Sequence, residues 1–147
     1  TISICLSKGL GAPVGSVLVG DEETISEAHR WRKMFGGGMR QAGMLAAAGL
    51  YALENNIDRL ANDHARARRL AEAVNAMDAY SVDLEAVQSN MVYVDCSEGG
   101  AKALVQNLGS IGVDVLDLEE STIRAVVHLH ITDEDIDRAI AAFEAAQ

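Results

Sequence analysis

Three groups of residues in this chain have the types and spacing to do chemistry. The first is Lys8, set in Ser7-Lys8-Gly9-Leu10-Gly11-Ala12-Pro13-Val14-Gly15 directly after the short apolar run from Ile2 to Leu6. An amine that attacks a carbonyl must be neutral, so desolvation or nearby positive charge has to lower its pKa. The end of an apolar strand offers desolvation, and glycines without side chains let backbone or a flat bound molecule come close. A solvated lysine in a glycine-rich turn is the plain alternative. The second group is Lys33 and Arg40, on either side of Gly36-Gly37-Gly38. An ammonium group, a guanidinium fork and exposed backbone amides together suit a phosphate dianion; otherwise the group is a solvated basic corner. The third is Arg124, inside Thr122-Ile123-Arg124-Ala125-Val126-Val127. An arginine in an apolar strand needs an anionic partner, because burying its charge unpaired is costly. That partner is either a bound carboxylate gripped by two parallel N–H groups or an internal acid such as Asp117 or Glu119. His128 and His130 have a spacing that two metal ligands could use, but no third ligand accompanies them, and no metal is expected. Arg59, Arg66, Arg68 and Arg69 form an exposed face paired with nearby carboxylates in preference to an anion site.

The elements that must position these residues follow from pattern. Ile2 to Leu6 and Val17 to Val19 read as two buried strands joined by the irregular lysine turn. Asp21 can cap a helix running to about Phe35, with Glu22 and Glu23 placed to favour its dipole. The glycine triplet stops that helix. A second helix, from near Met39 to about Glu54, is apolar nearly all round and so is expected to be buried on several sides. Asn55-Asn56 breaks the chain and divides it into residues 1–56 and 57–147. From Ile57 a long helix carries an apolar stripe through Leu60, Ala61, His64, Ala67, Leu70, Ala71, Val74 and Met77. Beyond Asp78 come a strand from Met91 to Val94, a helix from Gly100 to Ile111, strands from Val113 to Leu118 and Thr122 to Leu129, and a last helix opened by a capping box at Thr132. The second part reads as a small α+β domain with helices on one face of an antiparallel sheet.

The lysine segment from Ser3 to Ser16 and the segment Arg32-Lys33-Met34-Phe35-Gly36-Gly37-Gly38-Met39-Arg40-Gln41-Ala42-Gly43 closely resemble the low-specificity L-threonine aldolases, of the beta-eliminating lyase/threonine aldolase family. The resemblance returns weakly at Ile123 to Ile131. It implies an α/β chain: the end of a fold-type-I pyridoxal phosphate large domain in residues 1–56, followed by a linking helix and small α+β domain in 57–147. It implies pyridoxal 5'-phosphate as cofactor, held covalently by Lys8, with Lys33 and Arg40 reaching the cofactor phosphate of a neighbouring subunit and Arg124 gripping the carboxylate of an amino acid substrate. The implied activity is cleavage of threonine or allo-threonine to glycine and an aldehyde. Active sites at the interface of a homodimer or homotetramer are implied too, together with an N-terminal half that this chain lacks. Transamination or β-elimination on the same fold, and a non-catalytic truncated subunit or oligomerisation domain, are the readings that compete with it.

Composition agrees with a packed domain. Apolar residues make up 49% of the 147, and no apolar run approaches the roughly 20 residues that a spanning helix needs. A net charge of −10, with only three lysines beside nine arginines, argues against nucleic-acid and anionic-membrane partners. Two cysteines in strand-like runs read as buried free thiols of a cytoplasmic protein. The opening at Thr1, within a strand and without a methionine, suggests a fragment or a processed product.

Overall fold

In the computed structural model, which describes residues 1–147, the first strands pair only with each other. β1 (Ile2–Cys5) runs antiparallel to β2 (Ser16–Val19), with Ile2 opposite Val19 and Ile4 opposite Val17. Ile2, Ile4, Val17 and Val19 therefore share one face. The expectation of burial fails here: apart from half-buried Cys5, every residue of both strands is exposed. Apolar residues on both sides of a strand suit a sheet covered on both faces, and a two-stranded ribbon cannot supply that cover by itself.

α1 (Glu22–Met34) starts as its cap dictates. The Asp21 carboxylate accepts from the Thr24 backbone N–H at 2.8 Å and from the Thr24 hydroxyl at 3.0 Å, which holds that carboxyl below its usual pKa. Phe35 ends the helix and stacks on Trp31 at 5.7 Å between ring centres. α2 (Gly43–Asn55) begins four residues later than Met39, because Gln41 takes φ +48°, which no right-handed helix can include. Its all-round apolar composition does not translate into burial either: Gly49 and Ala52 are covered, whereas Met44, Leu50 and Tyr51 are exposed. Leu6, Leu10, Ala12 and Ala52 form the small core of this first unit, Thr1–Leu60, with Leu60 packed against it.

The second unit, Ala61–Gln147, holds the larger core. α3 (Leu60–Asn75) buries Ala67, Leu70, Ala71 and Val74, together with Asp63. His64, expected on this stripe, is exposed. Arg66 pairs with Asp133 at 2.8 Å, Arg68 with Glu72 at 2.6 Å, and Arg69 with Asp137, so these three arginines form a carboxylate-paired face as expected. The sheet runs β3 (Met91–Asp95), β5 (Thr122–Val126), β4 (Leu116–Asp117), antiparallel throughout. Val92, Val94, Ile123 and Ala125 face inward and meet Leu104 and Leu108 of α4 (Ala101–Ser110) and Ile136 and Phe143 of α5 (Asp133–Ala145). β4 is two residues long instead of the six from Val113 to Leu118, because Gly112 turns at φ +82° and the Val113 N–H returns to the Leu108 carbonyl. β5 stops short of Leu129 as the chain turns, the Ile131 N–H donating to the His128 carbonyl at 2.8 Å. No helix is long and apolar enough to cross a membrane.

The capping box of α5 is complete. Thr132 Oγ1 accepts from the Asp135 N–H, and the Asp135 carboxylate accepts from the Thr132 N–H at 3.0 Å. Thr132→Ala should cost about 1 kcal/mol, or roughly 4–8 °C in Tm for a unit of this size. Thermal unfolding followed by circular dichroism checks this; an unchanged Tm would mean that the box contributes nothing.

Candidate active site

Lys8 sits in a loop that is closed by its own backbone. The Leu6 N–H donates to the Gly15 carbonyl at 2.9 Å, the Ala12 N–H to the Leu6 carbonyl at 2.9 Å, and the Gly11 N–H to the Lys8 carbonyl at 2.8 Å. Gly11 takes φ +73°, so the turn needs a glycine there. Leu6, Leu10 and Ala12 anchor the loop in the core, and the Asn56 side chain donates to the Leu10 carbonyl at 2.7 Å. A Cβ on Gly9 would come within 3.0 Å of Leu60 Cδ2, so the residue after Lys8 is held close to the packed interior. The lysine itself is exposed and lies outside any desolvating strand end in this chain, contrary to the expectation from Ile2 to Leu6. Beside it, Cys5 Sγ lies 3.4 Å from Ser7 Oγ, and hydrogen bonding to Ser7 holds this thiol below its usual pKa.

The structure brings Lys33 and Arg40 together. Both line an open cleft with His29, Arg30, Arg32, Gly38 and Met39. Two carbonyls near the end of α1 turn the chain: the Gly37 N–H donates to the Arg32 carbonyl at 2.8 Å and the Gly36 N–H to the Lys33 carbonyl at 3.2 Å. Gly36 takes φ +81°. The Lys33 side chain then lies across Gly38, where a Cβ would stand only 2.6 Å from Lys33 Cδ. The triplet thus has a specific use that its sequence did not reveal: Gly38 leaves the space in which the ammonium is seated. A cradle of this kind, with cationic side chains and no Cβ in the way, fits a phosphate group.

Arg124 belongs to the second unit, on the outer face of the sheet. The neighbouring positions Ile123 and Ala125 point into the core, and Arg124 is half-buried. Neither Asp117 nor Glu119 forms an ion pair with it; Asp117 stands opposite Ile123 in the ladder. Its Nε is covered and has no hydrogen-bond partner. Such a donor is a net penalty unless an acceptor reaches it, and a carboxylate is the acceptor a guanidinium fork fits best. His128 and His130 lie past the end of β5 with rings 5.8 Å apart, and no group of three or more metal-ligating side chains exists. Sequence reasoning missed the residues flanking Arg124 in the ladder, Tyr93 and Leu116. The alternation of Met91 and Tyr93 with inward Val92 and Val94 was the available signal.

Comparison with known proteins gives these positions a context. Residues 1–97 match the beta-eliminating lyase family. The chain belongs to that family. It is 43% identical over 149 residues to low-specificity L-threonine aldolase 1 of Arabidopsis thaliana, covering 99% of this chain and 42% of the relative. It is 44% identical over 145 residues to the low specificity L-threonine aldolase of Escherichia coli K12, covering 99% of this chain and 42% of the relative. The Sphingomonas wittichii serine palmitoyltransferase shares the fold of 98% of this beta-eliminating lyase chain, with a TM-score of 0.77 at 22% identity, over 38% of its own length. The fold is thus the α/β fold of these enzymes, and the chain spans about two fifths of the length of the curated relatives it matches.

Proposed function

We propose that this chain is the C-terminal part of a pyridoxal phosphate enzyme that cleaves β-hydroxy-α-amino acids such as threonine to glycine and an aldehyde. The observation that carries the reading is the Lys8 turn, a rigid glycine loop holding one exposed amine within a family match that covers it. A solved structure of SPT with this fold carries pyridoxal phosphate. When bound, the cofactor supplies an aldehyde that an amine can hold covalently and a ring that takes up electrons from the bond being broken. Lys8 would be that amine. Lys33 and Arg40 would hold the phosphate, with Gly38 leaving room for the Lys33 ammonium; the Gly36 and Gly37 amides, expected to be exposed, are already committed to the Lys33 and Arg32 carbonyls. Arg124 would orient the substrate through its carboxylate, giving the unpartnered Nε an acceptor.

The rest of the active site would come from an N-terminal half, which the resemblance to the longer threonine aldolases implies, and from a second copy of the chain. The exposed Phe35, Met39, Met44 and Tyr51 on the first unit support such interfaces, since an interface would take large apolar side chains out of water. The free, half-buried Cys5 and Cys96 suit a reducing cytoplasm.

The test uses the assembled enzyme, meaning this chain joined to or mixed with that N-terminal half. Incubation with threonine should release glycine and acetaldehyde in equal amounts. Release of a keto acid together with free ammonia would instead mean β-elimination, a keto acid with the amino group left on the cofactor would mean transamination, and no turnover by a folded, cofactor-loaded assembly would leave a non-catalytic subunit. Within the same assembly, Arg40→Ala should weaken cofactor affinity by roughly 1.5–3 kcal/mol, the scale of a hydrogen bond to a charged group. Lys33→Ala should weaken it less, since a mobile point charge loses less than a planar fork. Cofactor titration checks both; wild-type affinity in the two variants would remove the phosphate from this corner.

A further inference from the structure

Arg124 is a planar fork that nothing ionic holds in place: it has no salt bridge, and its covered Nε has no hydrogen-bond partner. A guanidinium that is to meet a carboxylate in one orientation must therefore be oriented by packing. The ladder decides which neighbour can do that. Facing residues of an antiparallel pair alternate between those that exchange backbone hydrogen bonds and those that do not, and the second kind bring their side chains closer. Along β3 and β5, the Val127 N–H donates to the Asn90 carbonyl and the Cys96 N–H to the Ser121 carbonyl, so the hydrogen-bonded positions of β5 are the odd-numbered ones. Arg124 opposite Tyr93 is then a close pair, as is Thr122 opposite Asp95. The latter shows the closeness directly, the Thr122 hydroxyl donating to the Asp95 carboxylate at 2.6 Å. On the β4 side the parity is reversed. The Leu118 N–H donates to the Thr122 carbonyl, which makes Arg124 opposite Leu116 a hydrogen-bonded pair with side chains further apart.

We propose that Tyr93 is the positioning residue for Arg124, its ring flanking the guanidinium stem and fixing the plane in which the fork meets a substrate carboxylate. The proposal rests on the reading of Arg124 as the carboxylate ligand. The ring carries this role, and the hydroxyl is dispensable: its hydrogen bond goes to Met91 Sδ, a weak acceptor at 3.8 Å. Tyr93 is 42% exposed, so the second unit does not need it as core. Inward Val92 and Val94 already do that work.

Steady-state kinetics of the assembled enzyme with threonine test this. Tyr93→Ala should raise KM about tenfold and leave kcat within about twofold, because a loosened fork loses binding that substrate and transition state share. Tyr93→Phe should restore the wild-type KM. A wild-type KM for Tyr93→Ala, or a failure of Tyr93→Phe to rescue, overturns the proposal. Tyr93→Val, which keeps a strand-favouring side chain, stands in for the alanine variant should that one misfold, with the same KM expected. Arg124→Lys, measured in parallel, separates the two readings. A raised KM there with none in Tyr93→Ala rejects Tyr93 alone, and an unchanged KM in Arg124→Lys rejects the carboxylate role itself.

Discussion

Lys8→Ala in the assembled enzyme should abolish covalent attachment of pyridoxal phosphate and lower kcat by about three decades or more, within the range seen when a group acting directly on the reacting atoms is removed. The loop geometry makes the prediction specific. Leu6, Leu10 and Ala12 hold the turn from within, and its three backbone hydrogen bonds do not involve the lysine side chain. Truncation should therefore leave the fold and the Tm near those of the wild type. Borohydride treatment followed by peptide mapping reads the attachment directly: cofactor should be fixed on the peptide carrying residue 8 in the wild type and on no peptide in the variant. Cofactor still fixed at another lysine, with activity retained, would remove Lys8 from the chemistry. Lys33 and Lys102 are the other lysines of this chain.

How far each of these features could be read in advance depended on whether its cause is local. The start of α1 was legible because Asp21, Glu22, Glu23 and Thr24 contain the whole cap. The capping box at Thr132 was legible for the same reason. The exposure of β1 and β2 was not, because Ile2, Ile4, Val17 and Val19 record what a strand is built to pack against, and nothing in their pattern says whether that cover lies in the same chain. β4 was over-read because the apolar residues from Val113 to Leu118 look continuous, whereas Gly112 and the return bond to Leu108 spend the first of them on leaving α4. For the candidate site, residue types were legible and their seating was not. The glycine triplet signalled an open corner, but only the backbone geometry shows that Gly38 is the one lying under Lys33. Arg124 in an apolar strand signalled a missing anion. Whether that anion was Asp117, Glu119 or a ligand depended on ladder register, which turns Asp117 to face Ile123.

That register leads to the second large effect. Arg124→Ala should lower kcat/KM for threonine by about one to two decades, the loss of a charge-assisted hydrogen bond worth roughly 1.5–3 kcal/mol. Arg124→Lys should recover little of it, since an ammonium keeps the charge but loses the two-point planar fork. Cofactor absorbance should stay the same in both variants, because the corner proposed to hold the phosphate, Lys33 to Arg40, lies in the first unit. The stability readout carries equal weight. A structural arginine earns its place through internal partners, and its removal lowers Tm. Arg124 forms no ion pair, and its Nε is a covered donor without an acceptor. Truncation then removes packing of the stem together with an unsatisfied polar group, two effects of opposite sign, and the net change should stay within about 0.5 kcal/mol. Kinetics and thermal unfolding measured on the same preparations decide the matter. Near-normal KM with a clearly lowered Tm would make Arg124 a structural residue and end its assignment to the substrate.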